Sequence, residues 1–200
     1  MGNVTSRDFE VDGIPLTEKQ FERLQDKAPT TPVVVHFMRP DKNPKDQAFL
    51  DMSVLYPGGA IASDGGSWTL DNRELQGDIW PLPELAYSHP RSAGAFSRFI
   101  RQYVNERKVL TLMEAVRKAS LIPAQILERA VPEMKNKGRL RLGADADIII
   151  FKVEEVSDRA TFNKPAQTST GMKHVIVNGI LVISEGELVR DALPGKPVRT

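Results

Sequence analysis

Tyr56-Pro57-Gly58-Gly59-Ala60-Ile61-Ala62-Ser63-Asp64-Gly65-Gly66 is the stretch on which the reading of this chain turns. It opens in a turn, passes through the short apolar run Ala60-Ile61-Ala62, and ends in a carboxylate followed at once by two glycines. The pattern predicts a short strand over 60–63 that holds Asp64 rigidly, while the glycines let the backbone turn away and leave its oxygens open. The C-terminal ends of strands are where a (β/α) barrel keeps its chemistry. Asp-Gly is also a common turn pair. At this point Asp64 therefore has two readings, a catalytic carboxylate or a capping and turn residue.

Upstream, Asp12-Gly13 marks a turn and Thr17-Glu18-Lys19-Gln20 reads as a capping box. The helix it starts carries Phe21 and Leu24 on one face and stops before Pro29. The run Pro32-Val33-Val34-Val35-His36-Phe37-Met38 is apolar on both sides of the pleat, which predicts a buried parallel strand. Residues 45–55 predict a short helix with Ala48, Phe49, Met52 and Leu55 inward. Helix, strand, helix, strand is an α/β order.

Downstream, residues 65–88 predict a long loop containing Trp68, Trp80, Pro81 and Pro83. Loops of that length are active-site lids or flexible insertions. After His89-Pro90-Arg91, the residues Phe96, Phe99, Ile100 and Tyr103 recur at helical spacing. Thr111 with Glu114 predicts a capped second helix running to about Ser120, and Ile122-Pro123-Ala124 starts a third, with proline at a tolerated early position. Beyond Gly138 the period changes to strand. Residues 138–143 and 148–151 predict strands, and Asn178-Gly179 predicts a hairpin. The division expected is an α/β part over 1–137 and a small all-β part over 138–200.

The 200 residues carry 27 Lys+Arg against 26 Asp+Glu, a net charge of +1, so no basic field points to nucleic acid or a membrane surface. There is no cysteine, which excludes disulfides and thiolate metal sites. No apolar run approaches the ~20 residues of a membrane span, and the first residues lack the apolar core of a secretory signal. Met1-Gly2 with Ser6 fits a myristoylation pattern only superficially. The expectation is a cytoplasmic protein.

Ala62-Ser63-Asp64-Gly65, followed by His89-Pro90-Arg91 with Gly94, Phe96 and Arg98, resembles the late active-site region of the N-acyl-D-amino-acid deacylases, members of the metal-dependent amidohydrolase superfamily. Leu110-Thr111-Leu112, Glu114-Ala115, Pro123-Ala124, Gly138-Arg139, Gly143, Asp145-Ala146-Asp147, His174-Val175 and Val177-Asn178-Gly179 resemble the ending common to that superfamily. Residues 32–40 and 55–64 are most similar to the D-glutamate deacylase type. The resemblance covers nearly the whole chain but only the C-terminal part of a typical member. It implies the last strands and helices of a TIM-type (β/α)8 barrel, incomplete here, followed by a small composite β-sandwich domain.

The resemblance further implies a zinc-dependent hydrolase of linear amides, acting on C–N bonds other than peptide bonds and releasing a D-amino acid from its N-acyl form. It assigns Asp64 as the acid/base carboxylate and Arg91 as the residue that grips the substrate's carboxylate, a task suited to a planar guanidinium. His89, Ser63 and Gly65 would line the same pocket. The gap from Asp64 to His89 is longer than in the plain D-aminoacylase pattern, which implies an altered specificity loop. The family's metal ligands lie on earlier strands, and this chain has only His36, His89 and His174, with no His-x-His. No metal ligand is therefore assigned. His36 and His174 read as structural, and the chain is expected to be inactive alone, associating with a missing N-terminal barrel half or with itself. The alternatives are a non-catalytic fragment or subunit and a cyclic-amide hydrolase of the dihydroorotase or hydantoinase type.

Overall fold

The computed structural model describes residues 5–11, 14–27, 33–36, 38–40, 42–71, 73–77, 79 and 81–199. The expectations placed on Asp12-Gly13, Pro29, Pro32, Phe37 and Trp80 lie outside the described residues. The chain divides into two compact units, residues 1–56 with 161–163, and residues 57–160 with 164–200.

In the first unit, β1 (Phe9–Val11), β2 (Ile14–Pro15) and β3 (Val34–Val35) form a sheet in the order β2-β1-β3. Helix α1 (Glu18–Lys27) lies between β2 and β3 in sequence, and α2 (Pro44–Val54) follows. Gln20 Oε1 accepts the Thr17 backbone N–H at 2.9 Å, the return half of the expected capping box. Phe21 brings its ring to 4.5 Å from that of Phe9 and ties α1 to the sheet.

The expected parallel strand at 32–38 is corrected here. Its described part is two residues long and pairs antiparallel with β1, Phe9 opposite Val35 and Glu10 opposite Val34. Apolarity on both faces reports how a strand is covered and not which way its neighbour runs. In α2 the Asn43 side chain accepts the Lys45 N–H at 3.1 Å, and Pro44 takes the first turn. The inward stripe expected on α2 is corrected here. Only Leu55 is half-buried; Ala48 is exposed, and Phe49 and Met52 stand 62% and 71% exposed. An amphipathic stripe predicts a partner surface, and that face is left to solvent.

The second unit centres on two helical stretches. Helix α3 (Arg91–Ile100) continues without a break through a π-helical turn, Arg101–Glu106, closed by the Arg107 N–H on the Gln102 carbonyl. Phe99, Ile100 and Tyr103 are buried as the spacing predicts, whereas Phe96 is 43% exposed. Its place in the core is taken by the small residues Gly94 and Ser97, both buried. A Cβ at Gly94 would come within 3.0 Å of Asp158 Cβ. Asp158 accepts from Nε of both Arg98 and Arg101, at 3.1 and 2.8 Å, so the chain at 156–160 packs directly on α3.

The second stretch comprises α4 (Leu112–Val116), a π-helical turn at Arg117–Leu121, and α5 (Ile122–Leu127). These are one continuous helical path and not the two helices expected. Thr111 Oγ1 accepts the Glu114 N–H at 3.3 Å, and Glu114 Oε2 accepts the Thr111 N–H at 3.1 Å, which completes the capping box. The Thr111 hydroxyl, donating to Glu114 Oε2 at 2.8 Å, and then the Thr111 N–H hold the Glu114 carboxyl below its usual range. Pro123 is tolerated inside the path because the π turn widens it. The Ile122 N–H already reaches back five residues to Arg117, so the next carbonyl in that register, that of Lys118, faces a residue with no N–H.

The expected strand at 138–143 is absent. Arg139 has no regular structure, its guanidinium donating to the carbonyls of Met134 and Lys137 and to Glu128 Oε2. Leu140 and Leu142 point outward, 81% and 102% exposed. An alternating pattern forms a strand only where a neighbour offers the ladder bonds.

The four-stranded antiparallel sheet has the order β6 (Ile148–Phe151), β7 (Met172–Val177), β8 (Ile180–Ser184), β9 (Glu187–Leu188). The hairpin predicted at Asn178-Gly179 is present, with φ of 47° and 81°, the left-handed pair that a two-residue hairpin needs. Asp147 Oδ1 accepts the Asn178 N–H at 2.8 Å, and Lys137 Nζ lies 2.6 Å from Asp147 and 3.0 Å from Asp145. Burial pushes the Asp147 carboxyl up, but the Asn178 N–H and Lys137 outweigh it, so the net shift is downward. His174 lies in β7 and pairs with Glu185 at 3.2 Å.

Candidate active site

Residues 59–68 carry no regular secondary structure, which corrects the strand predicted at 60–63. A barrel strand is held by ladders on both edges, and among the described residues this segment is held by a helix instead. The Ile61 N–H donates to the Lys118 carbonyl at 3.0 Å, the acceptor that Pro123 leaves free. The Lys118 ammonium, on a residue only 7% exposed, donates to the Gly59 carbonyl at 3.1 Å. One residue of the π turn thus grips the segment twice, just ahead of Asp64. Lys118 carries no sequence motif of its own. The only signal for it is the proline five residues later.

Beyond Asp64 the chain is held from the other side. The Gly66 N–H donates to Ser92 Oγ at 3.2 Å, and Ser92 Oγ lies 2.9 Å from Ser88 Oγ. Ser88 is buried, 6% exposed. The Gly65 N–H donates to Ser63 Oγ at 3.2 Å, and a Cβ on Gly65 would meet Ser63 Oγ, Ser92 Cα and Ser92 Oγ, each at 3.3 Å. Glycine at 65 therefore lets this turn lie directly on the start of α3. Ser88 and Ser92 were not legible as site residues, because isolated serines carry no spacing signal.

This arrangement brings the predicted site residues together. Asp64 adopts a left-handed φ of 48° and projects its carboxylate, 86% exposed, so that Oδ2 lies 2.9 Å from Arg91 Nη2. Arg91 is the first residue of α3, and its backbone N–H donates to His89 Nδ1 at 3.1 Å. His89 therefore caps the turn that aims Arg91. Thr69 pairs with Tyr87 through backbone bonds of 2.8 and 2.7 Å, and β4 (Thr69–Leu70) and β5 (Arg73–Glu74) form a small hairpin. The expected structureless loop at 65–88 is thus partly ordered, with its two ends drawn toward each other.

The site holds one acid, one guanidinium fork, three serine hydroxyl groups and a histidine. It can grip a carboxylate and move a proton at an exposed oxygen. Among the described residues no three His, Cys, Asp or Glu side chains come together, and Asp64 faces a cation. A zinc ion takes three or four such ligands. These residues do not fit a metal centre by themselves. His36 is engaged elsewhere, in the first unit, 3.0 Å from Glu10 and edge-on to the Phe162 ring. Among the described residues no helix is long and apolar enough to cross a membrane.

Comparison with known proteins gives the same direction. The sequence profile of the amidohydrolase family matches residues 14–183. N-acyl-D-glutamate deacylase of Alcaligenes xylosoxydans xylosoxydans is 41% identical over 104 residues, 52% of this chain and 20% of that protein. N-acyl-D-aspartate deacylase of the same organism is 32% identical over 151 residues, 76% of this chain and 26% of that protein. A crystal structure of N-acyl-D-glutamate deacylase from Bordetella bronchiseptica, with zinc and a phosphonate mimic of the tetrahedral intermediate, superposes with a TM-score of 0.55. It is 29% identical over 79% of this chain and 28% of its own. The chain thus spans between a fifth and three-tenths of the length of these relatives. By its sequence and its fold, the chain belongs to the amidohydrolase family and is akin to that family's deacylases of N-acyl-D-amino acids.

Proposed function

We propose that this chain is the C-terminal active-site segment of a hydrolase that cleaves the linear amide of N-acyl-D-amino acids, with N-acyl-D-glutamate as the favoured class. The observation that carries the reading is the Asp64–Arg91 pair, an exposed acid 2.9 Å from a guanidinium fork suited to a carboxylate. The 41% identity to an N-acyl-D-glutamate deacylase supports the choice of substrate. Arg91 holds the α-carboxylate, and His89 fixes the turn that aims it. Asp64 takes a proton from the attacking water and returns it to the amide nitrogen as the C–N bond breaks, leaving a carboxylate and a free amine. Ser63 and Gly65 shape the turn beneath.

The zinc chemistry of this enzyme class needs ligands that these residues do not supply, so no step here runs through a metal. We assign those ligands to an N-terminal portion of the kind its longer relatives have room for. In this reading residues 1–137 complete a barrel and 138–200 contribute to a small β domain. Co-expression with the N-terminal three-quarters of an N-acyl-D-glutamate deacylase tests it. The expected result is no stoichiometric zinc and no hydrolysis of N-acetyl-D-glutamate by the chain alone. The complemented pair should turn over, and Asp64→Ala should lower its kcat about 100-fold or more. Stoichiometric zinc and Asp64-dependent turnover in the isolated chain would overturn the assignment.

A further inference from the structure

Arg91, assigned above to the substrate's carboxylate, already faces a carboxylate of its own chain. Asp64 Oδ2 lies 2.9 Å from Arg91 Nη2, within the reach that an incoming carboxylate oxygen would occupy. We propose that Asp64 is the resident competitor in the carboxylate clamp, and that a free substrate carboxylate is the group that displaces it and releases it for proton transfer. The inference rests on the reading of Arg91 given above and adds a selection rule to it. Substrates bearing a free carboxylate switch the acid from clamp to catalysis, and neutral analogues do not.

The geometry supports a latch that opens easily. The Asp64 side chain is 86% exposed and that of Arg91 44%, so the pair is solvent-screened and shifts an equilibrium by no more than about five-fold. Gly65 and Gly66 follow Asp64 directly, and the backbone on either side is pinned, at Ile61 by Lys118 and at Gly66 by Ser92. Movement is thereby confined to the Asp64 side chain and its own peptides. Two carboxylates crowded on one guanidinium repel each other, so the ligand's arrival itself favours the swing. Arg91 is held in place meanwhile, because its backbone N–H is fixed on His89 Nδ1.

The test is calorimetric titration of the chain with N-acetyl-D-glutamate and with its uncharged diamide, in low salt. Wild type is compared with Asp64→Asn, Arg91→Ala, and Asp71→Asn as a control for loss of one negative charge. The proposal expects Asp64→Asn to tighten N-acetyl-D-glutamate binding about two- to five-fold. Asp71→Asn should leave it unchanged, and added salt should shrink the difference. Detectable binding by Asp64→Asn where wild type shows none supports the proposal equally. Unchanged or weaker binding by Asp64→Asn overturns the latch, as does equal tightening by Asp71→Asn. If wild type binds detectably and Arg91→Ala binds as tightly, with circular dichroism showing it folded, the clamp reading falls and the latch with it. If only Asp64→Asn fails its expectation, the clamp reading stands alone.

Discussion

At position 64 the backbone sets a cost on the side chain. Its φ of 48° is one that glycine adopts freely and L-residues reach at a cost. Asp64→Gly is therefore expected to leave the urea unfolding free energy within about 0.5 kcal/mol of wild type. Asp64→Val should lower it by about 1–2 kcal/mol. A marked loss in the glycine variant would show that the carboxylate is structural. Ser92 carries the opposite kind of role. Its hydroxyl takes the Gly66 N–H, and Ser92→Ala should cost about 1 kcal/mol while speeding hydrogen exchange at Gly66. The Asp64–Arg91 constellation was legible because a carboxylate before two glycines and a His-Pro-Arg triplet have recognisable chemistry. Ser88, Ser92 and Lys118 were not, because what they do depends on the path of the chain and not on neighbours in sequence.

Among the elements, the helical path from Leu112 to Leu127 shows how a helix-breaking residue can serve a distant segment. Pro123 lacks the N–H that would cap the Lys118 carbonyl, and Ile61 supplies one instead at 3.0 Å. Replacing a proline inside a helix by alanine ordinarily restores up to about 3 kcal/mol. Here Pro123→Ala is expected to gain much less, and to raise hydrogen exchange at Ile61, since the restored N–H competes for that carbonyl. In the sheet, Asp147 and Lys137 bracket a pH window. The folded Asp147 carboxyl sits below its unfolded value, so its contribution is present above the unfolded value and is lost as pH falls through the folded one. Lys137 is raised, chiefly by its bond to Asp147. Its contribution is present below the unfolded value and is lost as pH rises through the folded one. Asp147→Asn should flatten the acid limb of a stability-against-pH curve measured by urea unfolding. An unchanged acid limb would remove Asp147 from the account.

For the whole molecule, the strands the sequence promised and the structure withholds share a cause. Residues 60–63 and 138–143 both have strand-like patterns, and both lack a ladder partner among the described residues. Helices and hairpins close their own hydrogen bonds, so the capping box at Thr111 and the turn at Asn178-Gly179 were readable from local residues alone. Barrel strands depend on neighbours, and the sequence carries no record of which neighbours are at hand. Leu142, fully exposed, offers a test of the proposed N-terminal portion. Leu142→Glu should change the stability of the isolated chain by less than about 0.5 kcal/mol, yet lower zinc-dependent turnover in the complemented pair. Equal turnover would mean that this leucine meets nothing in the assembled enzyme.

The π turn at Arg117–Leu121 also sets a count. Such a turn holds one residue more than an α-helix needs for the same path, and each residue corresponds to about 100° of rotation. Winding the same residues as an unbroken α-helix would rotate everything after the turn by about that angle. Ile122 and Ala124, now inside, would swing off the core, and the proline would fall opposite a different carbonyl. The wide turn thus takes up the surplus residue. It sets the phase of the second half of the helix against the first and, with it, which oxygen is presented to the chain that carries the acid.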